Sequence, residues 1–254
     1  MIEFINVKKS FGPVKALDGL SLKAEKGGIY SLLGPNAAGK TTAIKILVGL
    51  LAPDSGKIYW DGREAAPDDR DIKRKFFYIP DAPFLYDTLT GREFLDFLLR
   101  VYGKEPEGWS EKIHFFRMES VLDHLLGNYS HGYRQRLLFT AVLLLDPEFL
   151  ILDEPLVGLD PWAIKRLKEM LEGVSRRGKT VFVSLHTLEF AEKVSSCIGI
   201  ISNGRLIVQG TMEELRRESR KQGALEDIFL ELTASSEEVN SEQQIVIKQN
   251  KQRD

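Results

Sequence analysis

Residues 29–42 narrow the choice of fold more than any other part of this 254-residue chain. Ile29, Tyr30, Ser31, Leu32 and Leu33 make an apolar run with the length of a buried strand. Gly34, Pro35, Asn36, Ala37, Ala38 and Gly39 follow as a glycine-bounded loop. Lys40, Thr41 and Thr42 then open a stretch with the look of a helix. A strand, a glycine-bounded loop and Lys-Thr at a helix mouth together form a P-loop. Backbone N–H groups of the loop and of the helix start converge on one point, where the helix dipole also favours an anion. Lys40 supplies positive charge to the outer phosphates, and the Thr41 hydroxyl is placed to ligate Mg²⁺. A glycine-rich turn with an incidental lysine would explain neither the strand before it nor the helix after it.

Strands alternate with helices around this loop, which argues for an α/β fold with a mostly parallel, covered sheet. Residues 2–7 and 20–24 read as strands with Phe11-Gly12 between them, and the helix after Lys40 ends near Gly49. A turn cluster over 53–56 leads to a short strand at 57–60 and the turn Asp61-Gly62. Residues 65–71 are polar and loop-like, and 76–79 form a strand ending in Pro80-Asp81. From about Phe84 to Leu145 the pattern changes. Apolar residues recur at helical spacing through Phe94, Phe97, Leu98 and Val101, then Ile113, Phe116, Val121, Leu122 and Leu125. This span reads as an α-helical subdomain inserted into the core, with a loop at 106–108. The core resumes with strand 149–152, a helix opened by Pro161 and closed by Gly178, strand 180–185 and helix 188–194. Residues 198–209 read as a hairpin with a type I′ turn at Asn203-Gly204. Thr211 caps a short helix, 225–232 is an amphipathic helical piece, and 234–254 reads as a polar, mobile tail.

A phosphate cradle alone hydrolyses nothing; it needs a second metal contact and a group that orients or deprotonates water. Strand 149–152 runs straight into Asp153 and Glu154, which places one carboxylate beside the magnesium and the next toward the attacking water. Two carboxylates at a strand end are ordinarily a solvated pair, and the P-loop upstream is what favours the chemical reading. His186 sits just past another strand end, where ligands bind in such sheets. It is a candidate γ-phosphate contact, although a lone histidine there is more often a surface or capping residue. Ser130 is a good N-cap for the long apolar helix after it. A hydroxyl and Gly132 at a helix N-terminus also make a second anion site, and its place in the helical span points to another chain's nucleotide.

Five segments in this order resemble the nucleotide-binding subunit of an ABC transporter: GPNAAGKTT at 34–42, YIPDAP at 78–83, YSHGYRQRL at 129–137, LILDEPLVGLDP at 150–161 and VSLHTLEFAE at 183–192. The match covers roughly residues 1–233. It implies a P-loop NTPase (RecA-like) core with a mostly parallel sheet, an antiparallel β part and an inserted helical subdomain. It also implies an ATPase that uses ATP and Mg²⁺, in which two subunits close head-to-tail around two nucleotides. Residues 34–42 would then be Walker A, and Asp153 with Glu154 Walker B, with Glu154 the general base. Ser130, Gly132 and Tyr133 would belong to the signature motif facing the other subunit's ATP. Gly158, Leu159 and Asp160 would form the D-loop, His186 would be the switch histidine, and Phe11 would stack on adenine. The partners implied are a second such subunit, identical or not, and an integral membrane permease, with export favoured over import.

Three departures from the family pattern stand out. Ala37 replaces a glycine where φ > 0 is cheap only for glycine. Asp81 stands at the Q-loop glutamine position, from which a carboxylate reaches Mg²⁺ or its water. His131-Gly132-Tyr133 replaces Gly-Gly-Gln. Glu154 and His186 are both present, which argues against a degenerate site.

A net charge of −2 without a basic stripe gives no reason to expect nucleic acid, and the single cysteine, Cys197, fits a reducing compartment. Residues 137–145, the longest strongly apolar run, are too few to span a bilayer. The expectation is a cytoplasmic protein, peripheral on the inner face of the membrane through its permease. Two alternatives explain less. A soluble ABC-type ATPase acting on DNA or the ribosome usually carries a coiled-coil insertion or a second cassette. An unrelated P-loop kinase or GTPase leaves residues 129–137 unexplained.

Overall fold

Two β-sheets divide the strands between them, and the chain crosses from one to the other just before the P-loop. The structure, a computed structural model, describes residues 1–65, 69–105, 107–218 and 225–231. In chain order the elements are β1 (Ile2–Phe11), β2 (Val14–Ala24), β3 (Ile29–Leu33), α1 (Lys40–Leu47), β4 (Ser55–Trp60), β5 (Arg63–Glu64), α2 (Arg70–Lys73) and β6 (Phe76–Ile79). Then come α3 (Gly91–Tyr102), α4 (Trp109–Phe115), a 3₁₀ turn (Leu126–Asn128), α5 (His131–Leu145), β7 (Phe149–Asp153), α6 (Pro161–Arg176) and β8 (Thr180–Leu185). α7 (Leu188–Val194), β9 (Cys197–Ser202), β10 (Arg205–Gly210) and α8 (Met212–Glu218) follow, and residues 225–231 are helical.

The antiparallel sheet has the order β2-β1-β4-β5, and the main sheet β10-β9-β3-β8-β7-β6. All pairings in the main sheet are parallel except that of β10 with β9. Its central strands are apolar on both faces because both faces are covered. Alternate residues of β3, β7 and β8 serve opposite cores. Tyr30, Leu32, Phe149, Ile151 and Phe182 face the antiparallel sheet and α1. Ile29, Leu33, Leu150, Leu152, Val181 and Val183 face the other helices. Phe182 stacks on Tyr30 at 5.2 Å between ring centroids and on Phe4 at 6.3 Å, so one ring joins the two sheets. Truncating a ring buried this fully costs about 3–5 kcal/mol.

The hairpin at 197–210 forms as its turn chemistry predicts, with Asn203 at φ 49° and Gly204 at φ 73°. Pro161 is the first residue of α6, and Gly178 follows it at φ 75°. Three sequence expectations need correction. The first two strands are longer than expected, because they pair with each other as one hairpin and propagate to its tip at Phe11 and Val14. Arg70 and Asp71 lie in α2, not in a loop, because Asp69 caps it through its carboxylate to the N–H groups of Asp71 and Ile72. Val121, Leu122 and Leu125 follow no α-helix: α4 stops at Phe115, and turns run to the 3₁₀ turn. Their apolar spacing reflects burial of Leu122 in the core, not helical period. Between β6 and β7 the regular elements are all helical, the first beginning at Gly91 behind a Thr90–Glu93 capping box. Pro106, residues 66–68, Leu232 and the tail at 234–254 lie outside the described residues.

Candidate functional site

Four neighbouring strands of the main sheet, β3, β8, β7 and β6, deliver their carboxyl ends to one edge, where such sheets bind ligands. From β3 comes the loop 34–39, from β7 the pair Asp153 and Glu154, from β8 His186, and from β6 Asp81.

The loop is shaped by close approach. A Cβ on Gly34 would run into the Ile201 carbonyl, and one on Gly39, which sits at φ 107°, would meet the Ala16 carbonyl. Gly204, at the tip of the distant hairpin, donates its N–H to the Ala38 carbonyl at 3.0 Å. Pro35, Asn36 and Ala37 are exposed, whereas Ala38, Gly39 and Lys40 are buried. Ala37 stands at φ 62°, the left-handed region expected of the glycine it replaces. For a residue with a side chain that conformation costs about 1–2 kcal/mol. Glu154 is likewise left-handed, at φ 47°.

Lys40 leads α1 with its side chain turned back over the loop. Its Nζ donates to the Gly34 carbonyl at 2.7 Å and to the Pro35 carbonyl at 3.2 Å, and lies 3.4 Å from Glu154 Oε1. The other oxygen, Oε2, is 2.6 Å from His186 Nδ1. A carboxylate only accepts, so His186 donates through Nδ1–H. Glu154 thus bridges the two basic residues.

Asp153 is wholly buried. Its Oδ1 accepts from the Ser184 hydroxyl at 2.5 Å, and the same Ser184 oxygen accepts from the Glu154 N–H at 3.0 Å. Burial pushes the Asp153 carboxyl above its ordinary range, while the Ser184 and Thr41 hydroxyls draw it back. Its Oδ2 has no hydrogen-bond partner among the described residues. An orphaned, buried carboxylate oxygen with a threonine hydroxyl beside it suits Mg²⁺, which commonly takes one or two protein ligands and fills the rest with waters and phosphate. No cluster of three or more acidic, histidine or cysteine side chains suited to a metal occurs among the described residues. Asp81 Oδ1 accepts from the Ala82 N–H at 2.8 Å, and its charge is close enough to raise Asp153 further.

Ser184 escaped the sequence reading. Its signal was a hydroxyl directly after the apolar run 181–183, level with Asp153 in the parallel register.

The remaining candidates lie elsewhere. Phe11 is half exposed at the hairpin tip, with Lys9 Nζ 5.8 Å from its ring centre, and Ala16 of the same hairpin backs onto Gly39. Ser130 is exposed and caps α5 by accepting from the Tyr133 N–H at 3.3 Å. The Tyr133 ring packs on the Arg136 guanidinium at 4.6 Å. Asp160 caps α6 through the Ala163 N–H at 2.7 Å. Among the described residues no hydrogen bond or ion pair joins Ser130, Gly132, Tyr133 or Asp160 to residues 34–42.

The family model described as ABC transporter matches residues 17–157, more than half of the chain. The chain belongs to the ABC transporter family. It is 36% identical over 222 residues to the ABC-type transporter ATP-binding protein EcsA of Bacillus subtilis, covering 85% of this chain and 90% of that protein. It is 34% identical over 223 residues to the bacitracin transport ATP-binding protein BcrA of Bacillus licheniformis, covering 87% and 73%. A solved structure of an ATP binding subunit of an ABC transporter superposes with a TM-score of 0.86 at 31% identity, over 92% of this chain and 99% of that one. This ABC protein is therefore an ATP-binding subunit and an ATPase. No helix among its described residues is long and apolar enough to cross a membrane.

Proposed function

We propose that this subunit drives export through a separate membrane permease, closing head-to-tail with a second nucleotide-binding subunit around ATP. The observation that carries the chemical part is the Glu154 carboxylate held between Lys40 and His186 at adjoining strand ends. In this reading the loop 34–42 takes the phosphates, and Lys40 exchanges its carbonyl and carboxylate partners for phosphate oxygens. Glu154, fixed in rotamer by His186, accepts the proton of the attacking water. Thr41 and Asp153 would hold Mg²⁺, which offsets charge developing on the outer phosphate oxygens. Asp81 stands close enough to order a water in that shell. Phe11 offers an exposed ring to the adenine. Ser130 is exposed, free to meet the second subunit's nucleotide with Gly132 beside it, and Asp160 holds the start of α6 beside that junction.

Export is favoured by relatives named for bacitracin transport and for Nod factor export. The permease contact is supported by an exposed aromatic patch: Phe84, Tyr86 and Phe97 are 89%, 55% and 45% exposed, with successive ring centres 6.3 Å apart. Contiguous exposed apolar surface of this kind marks a docking face. Attachment there would place the protein on the inner face of the membrane.

Glu154→Gln tests the reading. It should bind ATP, lose about 100- to 1000-fold in turnover as expected for removal of a general base, and accumulate as an ATP-dependent dimer in gel filtration. A monomer in Mg-ATP with wild-type turnover would refute both the base and the shared site.

A further inference from the structure

We propose that His131 is a positioning residue that couples the N-terminus of α5 to the Glu154 loop, so that nucleotide held against Ser130 and Gly132 governs hydrolysis at the same chain's own Glu154. The proposal rests on the head-to-tail reading above. His131 Nε2 lies 3.1 Å from the Val157 carbonyl. A carbonyl only accepts, so the ring donates from Nε2, as it does in both the neutral Nε2–H tautomer and the imidazolium.

The two backbones also touch. Gly158 stands at φ 75°, and a Cβ there would run into the His131 ring, while one on Gly132 would lie 3.1 Å from the Gly158 carbonyl. Val157 in turn donates its N–H to the Glu154 carbonyl at 3.4 Å, a long bond that closes the turn after the left-handed Glu154.

A second tie holds the other side of the same junction. The Arg136 guanidinium lies 4.6 Å from the Tyr133 ring centre and 5.1 Å from that of Trp162, the second residue of α6, and donates to the Phe116 and Arg117 carbonyls. The first turn of α5 and the segment 154–162 are thus clamped at both ends, and displacement of Ser130 is transmitted to the backbone of Glu154. At the His131 position the family pattern has a glycine, which offers no side chain to make the link. The coupling is a property of this histidine.

Loss of this one hydrogen bond in His131→Ala should lower kcat by about 3- to 10-fold. KM for Mg-ATP should stay within about 2-fold, because residues 34–42 are untouched. His131→Gln, whose amide nitrogen reaches the same carbonyl, should restore kcat to within about 2-fold of wild type. Steady-state ATPase assays on the full chain, with melting temperatures, read all three. Wild-type kcat in His131→Ala, equal impairment of both variants, or a loss that falls on KM or on melting temperature alone overturns the proposal. Glu154→Gln in gel filtration separates the two levels: a monomer there refutes the head-to-tail reading. If Glu154→Gln forms the dimer and His131→Ala keeps wild-type kcat, only the coupling fails.

Discussion

The P-loop end of the molecule and the Ser130 end are both anion-seeking helix N-termini, yet they are built in opposite ways. At the first, the functional side chains are held from within the chain, with Asp153 Oδ2 the one oxygen left without a partner among the described site residues. Lys40 is buried against two carbonyls and Glu154, Asp153 is held by Ser184, and two residues with side chains, Ala37 and Glu154, are kept left-handed by their surroundings. At the second, Ser130 is exposed and makes one long cap bond to Tyr133 N–H, and its neighbours are secured only from behind. Such left-handed backbone persists where the surrounding structure over-determines it, as at sites where a fixed geometry matters. At the exposed end no residue over 130–136 takes that conformation. On the proposed head-to-tail reading, the contrast separates a phosphate cradle framed within one chain from a surface that a second subunit's nucleotide would complete.

Removing the central lysine should break the comparison most severely. Lys40→Ala takes away both the phosphate charge and the partner of Glu154, and ATP binding measured by fluorescence or calorimetry should fall more than about 100-fold, with ATPase activity lost. Retained activity would contradict the P-loop assignment. Next in size, Ser184→Ala leaves Asp153 Oδ1 without its donor in a wholly buried place. Stranding a buried polar group costs about 1–3 kcal/mol, so a fall of several degrees in Tm should accompany weakened activation by Mg²⁺. An unchanged Tm would show that the aspartate finds water instead. At the opposite end, Ser130→Ala removes a cap worth about 1 kcal/mol. Its loss of ATPase activity should appear at concentrations that favour the dimer and vanish from ATP binding by dilute monomer. Equal loss in both conditions would erase the distinction between the two ends. Smallest of all, Ala37→Gly should relieve left-handed backbone at the cost of added freedom in the unfolded chain. The net gain should be about 0.5 kcal/mol, a rise of about 1–2 °C in Tm, and a fall in Tm would mean the Ala37 methyl makes compensating contacts.

The legibility of the molecule follows the same divide. Strands β3, β7 and β8 stand out in the sequence because burial on both faces leaves them little but apolar residues, and residues 153–154 and 186 are visible as polar groups abruptly ending such runs. The Asn203-Gly204 turn is equally plain, since few other pairs adopt two positive φ angles cheaply. Less visible is anything set by contact between segments remote in sequence. The 118–125 region mimics helical spacing because Met118 and Leu122 meet the core from turns, while Leu125 is exposed. Ser184 hides because its role exists only once β7 and β8 lie side by side. The engagement of His131 with Val157 and of Arg136 with Trp162 required the packing of α5 against residues 157–162. At Ala37 the departure from glycine was legible, and the structure adds that the backbone kept the glycine conformation.

The strand that delivers the phosphate loop lies between β8 and β9, and the loop itself is hydrogen-bonded by Gly204. Every one of these supports comes from the last third of the chain. During synthesis, residues 34–42 leave the ribosome early, but the scaffold that shapes them does not exist until residue 204 has followed. The loop at 34–42 therefore takes its supported shape through pairings remote in sequence, a long-range folding step rather than a local one.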